Sequence, residues 1–433
     1  MKKNKKIVYV GLSADILHEG HINILKTAYK LGEVIVGLLT DQAIASYKKI
    51  PHLNFKQREI VLQNMKFVKK VISQSTLDYT PNLKLLKPDY VVHGDDWKSG
   101  IQKKTRLQVI KTLKRWGGKL VEPKYTQNIS STLIKKNILK VGTSPDKRKS
   151  KLKRILEAKE VVRVLESHSA LVGLIIENLK VVKNQKYLEF DGMWSSSLTD
   201  SALRGKPDNQ TVDYSSRILG LNEILDVTTK PVIFDADNGG RLEHLPYMIK
   251  SLERIGVSAA IIEDKVGLKK NSLFENQSGA TQDTIKRFCQ KISSAKDTKI
   301  SDDFMIIARI ESFILGKGLS DALKRAEAYS KAGADAILIH SRENNPSQIF
   351  SFAQKFKKSK YFKPMVAVPS SYSRTYEKEL IKNGFKIIIY ANHMLRASYP
   401  AMTEVAKSIL THKRSYEAEK KITTIKEIIH LIK

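Results

Sequence analysis

A chain of 433 residues with 41% apolar side chains is too long for one ordinary core and suits two, because single cores rarely grow past about 250 to 300 residues. Its 76 Lys and Arg outnumber 44 Asp and Glu for a formal charge of +32, but the excess is lysine spread along the chain without a recognition-helix, zinc-finger or aromatic-basic strand pattern, which argues against nucleic acid as partner. The lone cysteine, Cys289, excludes an internal disulfide and a thiolate metal cluster, and no stretch approaches the ~20 apolar residues of a membrane span, so a soluble cytoplasmic protein without a membrane partner is expected. The basic start Met1 to Lys6 precedes an apolar run too short for a signal-peptide core. A solvated lysine-rich surface and phosphorylated small substrates both remain as accounts of the charge.

In chain order, Lys6–Leu12 reads as a buried strand, Gly20–Leu31 as a helix and Glu33–Thr40 as a second strand. The pattern continues with a helix over Lys56–Met65, strands around Val68–Ile72 and Tyr90–His93, and a helix over Thr105–Trp116. Strands separated by single helices imply an open parallel sheet whose ligands bind at the carboxyl ends of the strands. The amino-terminal domain is set at residues 1–139. Residues 140–157 change to a Gly/Ser/Pro start and a charge run, read as a basic linker leading into a surface helix.

From 158 to 433 a longer rhythm follows: short apolar strands, each closed by polar residues and followed by a helical pattern. The strands are MWSSS, PVIFDAD, AAIIEDK, FMIIARIE, AILIHS, MVAVPS and IIIYANH. Their spacing predicts a (β/α)8 TIM-type barrel with a carboxyl-terminal helical tail. Chemistry in such a barrel belongs at the carboxyl ends of the strands, where this chain places Asp235, Asp237, Glu263, Asp264, Arg309, Glu311, His340, Asn392 and His393. Converging carboxylates need a cation. One solution is magnesium, with Asp237 as direct ligand and Asp235 and Glu263 holding its water shell; the other is ion pairing with Arg309 and Lys265.

The segments FDAD, IIEDKVGLKKNSL, IIARIESF, ALKRAEAYSKAGADAILIHS and ANHMLRAS, with MWSSSL upstream, closely resemble the phosphoenolpyruvate mutases of the isocitrate lyase superfamily. The carbon-carbon lyases of that superfamily carry a Lys-Lys-Cys-Gly-His motif, absent here, and Cys289 lies in a helical pattern as a packing residue. The mutase loop pattern Lys-x-Asn-Ser is matched by Lys269, Asn271 and Ser272, and Asn271 favours a mutase over the related phosphonopyruvate hydrolase. The resemblance implies interconversion of phosphoenolpyruvate and phosphonopyruvate with magnesium. It implies that Trp194, Ser196, Ser197, Leu198 and Asn392 hold the substrate, Arg309 and His340 contact it, Asn271 orients the phosphoryl group and Asp208 assists transfer. The family often has Ser-Gly-Leu where this chain has Ser196-Ser197-Leu198. A homo-oligomer, dimer or tetramer, through the barrel is implied as well. A hydrolase or lyase on the same barrel, beside a domain that only binds nucleotide, is the alternative.

In the amino-terminal part, His18-Glu19-Gly20-His21 opens a helix just after the first strand. Two imidazoles near free N–H groups and a positive dipole end suit a triphosphate; the plain alternative is a pair of exposed histidines. Asn128 to Thr132 stands near another expected helix start, where Ile129, Ser130, Ser131 and Thr132 either grip phosphates or simply cap the helix. With His93-Gly94-Asp95-Asp96-Trp97 and Gln57-Arg58-Glu59, these stretches resemble the cytidylyltransferases, although Tyr125 and Asn128 replace that family's arginine and glycine. The resemblance implies magnesium and CTP, with His18, Gly20, His21, Lys48 and Asp95 at the nucleotide. Asp41 would join them, and a small phosphonate or phosphate would be the acceptor. The two-part arrangement resembles the bifunctional enzymes of fosfomycin and related phosphonate pathways.

Overall fold

The computed structural model describes residues 5–98, 102–124, 143–183, 186–274 and 277–431. They form two compact units, a Rossmann-like α/β unit and a (β/α)8 barrel.

The amino-terminal unit is a parallel sheet of β1 (Ile7–Leu12), β2 (Glu33–Leu39), β3 (Lys70–Gln74), β4 (Tyr90–Val92) and β5 (Lys119–Val121), in the order β3-β2-β1-β4-β5. The central strand β1 is buried along most of its length, which is why its text is a continuous apolar run instead of an alternation. Strand order reverses between β1 and β4, and a doubly wound sheet opens its ligand crevice at such a point. The helices Glu19–Leu31, Phe55–Gln63 and Lys103–Leu113 match the expected ones; the short helix Thr80–Leu86 and β5 were not anticipated from sequence.

The barrel closes through β6 (Val162–Glu166), β9 (Gly192–Ser195), β10 (Val232–Asp235), β11 (Ala259–Glu263), β14 (Met305–Ile310), β15 (Ala336–Ile339), β16 (Met365–Ala367) and β17 (Phe385–Tyr390). All neighbours are parallel, and β6 joins β17 to β9. The barrel unit adds one antiparallel hairpin, β12 (Lys265–Val266) with β13 (Thr281–Gln282), whereas the hairpin of β7 (Val181–Lys183) with β8 (Lys186–Leu188) groups with the amino-terminal unit. Seven barrel strands are those read from sequence; the eighth, β6, was missed because its VRVLE text is short and follows a charge run. Buried Glu166 at its carboxyl end accepts the N–H groups of Met394 (3.0 Å) and Leu395 (3.2 Å), capping the helix His393–His412.

The charge run forms the helix Pro145–Ala158, whose residues 145–156 belong to the barrel unit and are partly buried instead of lying on the surface throughout. Arg148, nearly fully buried, donates to the carbonyls of Leu225 (2.7 Å) and Thr228 (3.1 Å). Lys151 donates to Thr229 O (2.7 Å) and Lys153 to Asp302 O (2.6 Å). The basic side chains thus satisfy carbonyls in the loops that enter β10 and β14. Cys289 packs against the barrel core from the helix Ile285–Thr298. Among the described residues no helix is long and apolar enough to cross a membrane.

Candidate active site

At the carboxyl end of the barrel strands, the chain turns sharply after β10. Asp237 takes a left-handed backbone conformation (φ 50°), which a short polar side chain tolerates, and its N–H closes the turn on Asp235 Oδ1 at 3.2 Å. Strand β11 places Glu263 alongside, β14 places Arg309, and β15 delivers His340. From the β12–β13 hairpin, the connecting segment carries Lys269, Asn271 and Ser272 across the same end.

These groups enclose a small cavity of about 60 Å³. Its walls hold Trp194, Ser196, Ser197, Leu198, Asp208, Asp235, Lys269, Asn271, Ser272, Arg309, His340 and Asn392, twelve residues singled out from sequence. Asp237 and Glu263 stand behind that wall. Sequence reading missed Leu338, Val368 and Ser370, although all three follow or lie in strands it had recognised. It also missed Arg217, a helix residue with no strand-end signal. Arg217 is buried and ties Asp200 (2.8 Å), the Asp235 carbonyl (2.6 Å) and Asp237 (3.5 Å) together.

Two charge clusters organise the cavity. In the first, the Lys269 ammonium touches Ser197 Oγ and Asp237, lies 3.2 Å from Asp208 and 3.7 Å from Asp235. Asn271 Nδ2 donates to the other oxygen of Asp208 at 2.8 Å. Burial opposes charge on Asp235, but Lys269 and Arg217 outweigh it and hold its carboxyl below the usual range; the three aspartates in turn hold Lys269 above the usual lysine range against the same burial. In the second cluster, Arg309 donates to Glu311 (2.5 Å) and Ser272 (2.9 Å) and lies 3.0 Å from His340 Nδ1. Burial and Arg309 lower the His340 pKa, so the ring is neutral at pH 7.

Glu263 differs from the rest. Arg309 Nη2 lies 3.3 Å from it and Lys265 3.7 Å, yet neither of its buried oxygens receives a hydrogen bond, and burial pushes its pKa up to about 7 against those two cations. Ion pairing, the second solution left open by the sequence, is therefore present. Asp235, Asp237 and Glu263 do not gather as a three-carboxylate cluster; no group of three such ligands converges among the described residues. The donor set still fits a hard cation: all are oxygens, Glu263 is unsatisfied, and Asp208 Oδ1 also lacks a hydrogen bond.

The amino-terminal unit holds a second cavity, of about 300 Å³, at the switch between β1 and β4. His18 caps the helix Glu19–Leu31, its Nδ1 accepting the Gly20 N–H at 3.2 Å, and its ring stands 4.1 Å from that of His21. Burial, then His18 and Lys48, lower the His21 pKa to about 4, and its Nδ1 has no hydrogen-bond partner. Lys48 faces the cavity and donates to Ser13 Oγ at 3.1 Å. His93 stacks on Trp97 with centroids 3.8 Å apart. Asp96, not Asp95, lines the cavity; Asp95 lies 3.8 Å from Lys98. Asp41 binds the buried Arg58 at 2.6 Å, and that guanidinium also holds the Ser13 and Leu39 carbonyls, tying the segments after β1 and β2 together. Tyr125, Asn128 and Ile129–Thr132 lie outside the described residues.

A closed parallel barrel with a polar, cation-rich pocket at its strand ends, joined to a doubly wound unit with a histidine-bearing switch point, defines an isocitrate lyase-type barrel enzyme with a nucleotidyltransferase-like domain. The family profile described as phosphoenolpyruvate phosphomutase matches residues 152–410, and the one described as cytidylyltransferase-like matches 9–137. The chain belongs to the phosphoenolpyruvate phosphomutase family. It is 34% identical to the phosphoenolpyruvate phosphomutase of Tetrahymena pyriformis over 68% of this chain and 94% of that protein. A crystal structure of phosphoenolpyruvate phosphomutase from Streptomyces platensis subsp. rosaceus matches with a TM-score of 0.60 and 32% identity, covering 67% and 95% of the two chains. A phosphonopyruvate hydrolase solved with oxalate and Mg++ matches with a TM-score of 0.58 and 30% identity, covering 67% and 95%.

Proposed function

We propose that the barrel, residues 158–433, interconverts phosphoenolpyruvate and phosphonopyruvate with magnesium in the cytoplasm. The carrying observation is the cavity closed by Lys269, Asn271 and Ser272 over Trp194 to Leu198, with Asn271 anchored on Asp208 at 2.8 Å. In the forward direction the bond from phosphorus to the enol oxygen breaks and one from phosphorus to carbon 3 forms, through a loose state in which no net proton moves. Such a state demands positioning and exclusion of water more than acid-base work. Ser196, Ser197 and Leu198 hold the pyruvyl carboxylate, Arg309 and neutral His340 bind its oxygens or those of the phosphoryl group, and Asn271 orients the latter. Asp235, Asp237 and Glu263 would hold magnesium, which when bound supplies positive charge beside the pyruvyl oxygens.

The amino-terminal unit, residues 1–139, transfers CMP from CTP to a small phosphonate such as 2-hydroxyethylphosphonate, or to a phosphate acceptor. His18, His21 and Lys48 face one cavity, which supports this reading, and the profile match supports it further. A homo-oligomer assembles through the barrel; exposed Tyr399, Met402 and Leu410 on the helix His393–His412 support it.

Phosphorus NMR of the protein with phosphonopyruvate and magnesium tests the barrel reading. Phosphoenolpyruvate is the expected product, whereas pyruvate and phosphate alone would make the barrel a hydrolase. Labelled CTP with a panel of phosphonates and phosphates tests the other unit, and inertness towards all of them would leave a domain that only binds nucleotide.

A further inference from the structure

The Ser197 hydroxyl makes contacts that substrate binding does not require. Ser197 is almost wholly buried as the first residue of the helix Ser197–Leu203 that follows β9. Its Oγ lies 2.8 Å from Asp235 Oδ2 and also touches the Lys269 ammonium. An ammonium only donates, and an ionised carboxylate only accepts. The hydroxyl's single proton must therefore point to Asp235, and its lone pair must take a proton of Lys269. The backbone N–H of Ser197 faces the same Asp235 oxygen at 3.3 Å.

The ammonium thereby stands among Asp208, Asp237 and the hydroxyl while remaining 3.7 Å from Asp235. Opposite charges that close, in a buried site, attract strongly. At 3.7 Å the two already attract as an ion pair without a hydrogen bond, and a direct bond would consume the acid that faces the cavity. From this arrangement we infer that Ser197 is a positioning residue: its hydroxyl occupies Asp235 Oδ2 in place of the Lys269 ammonium and so leaves the remaining lone pair of Oδ1 to a divalent cation. The inference rests on the magnesium-dependent reading of the barrel and adds to it a role for one side chain.

Magnesium affinity, measured by calorimetry without substrate on the full-length protein, tests it. Ser197→Ala lets Lys269 settle on Asp235, so affinity should fall about tenfold, the size of one charge-assisted hydrogen bond. Ser197→Thr keeps the hydroxyl and should restore affinity to near the parent value. In a Lys269→Met background no ammonium is left to be spaced, and adding Ser197→Ala should then change affinity little. Unchanged affinity in Ser197→Ala, or an equal loss in both backgrounds, overturns the inference. Because this readout needs no turnover, a parent protein that binds magnesium but leaves phosphonopyruvate untouched would sink the mutase reading alone.

Discussion

Asn271 reaches Asp208 through a single 2.8 Å hydrogen bond, and that bond spans from the hairpin segment to the loop between the helices Ser197–Leu203 and Tyr214–Val227. Asn271→Ala removes both this tie and the amide offered to the phosphoryl group. Turnover of phosphonopyruvate is expected to fall about 100-fold or more, the size of losing a transition-state contact, with the thermal midpoint little changed; phosphorus NMR and calorimetry read the two. His21 gives a pH prediction in the other unit. Its folded pKa is near 4 and its ordinary value is 6.5, so between those values the unfolded chain binds a proton that the folded chain refuses. Stability of the amino-terminal unit from this source is full above pH 6.5 and declines as pH falls towards 4. Urea midpoints at pH 7 and pH 5 should differ less in His21→Gln than in the parent.

At the scale of elements, the helix Pro145–Ala158 shows what a charge run can conceal. Arg148 and Lys149 read as solvent-facing in sequence, yet both are buried. Arg148 serves the carbonyls of Leu225 and Thr228 at the end of the helix Tyr214–Val227, and Lys149 lies 3.3 Å from buried Glu253. Replacing Arg148 by Leu strands those carbonyls away from water and should lower barrel stability by about 3 kcal/mol. Urea unfolding followed at the buried Trp194 measures it; a change within about 0.5 kcal/mol, typical of surface sites, would mean the helix is held by its apolar residues alone. The strands were easier to read than this helix. Six of the eight in the barrel carry, at or just beyond their carboxyl end, a polar residue that the sequence reading placed at the working face, whereas β6 was not recognised until Glu166 was seen capping a helix from far along the chain.

For the whole molecule, two separate apolar cores imply two ligand responses. Oxalate with magnesium should raise one calorimetric transition and CTP with magnesium another, since each ligand stabilises only the unit that binds it. A single transition raised equally by both would show that the units unfold as one. Sequence alone determined the two fold classes, most of the strands and twelve of the seventeen residues around the barrel cavity. It could do so because parallel strands bury both faces and so read as apolar runs, and their carboxyl ends necessarily carry the chemistry. Tertiary structure alone decided which ions pair: that Lys269 stands among three aspartates, that Arg217 braces them from a helix, that Asp96 replaces Asp95 at the second cavity, and that Asp41 serves Arg58. Those choices depend on distances of a few ångströms between residues far apart in the chain, and charge interactions change steeply over such distances while sequence spacing carries no record of them.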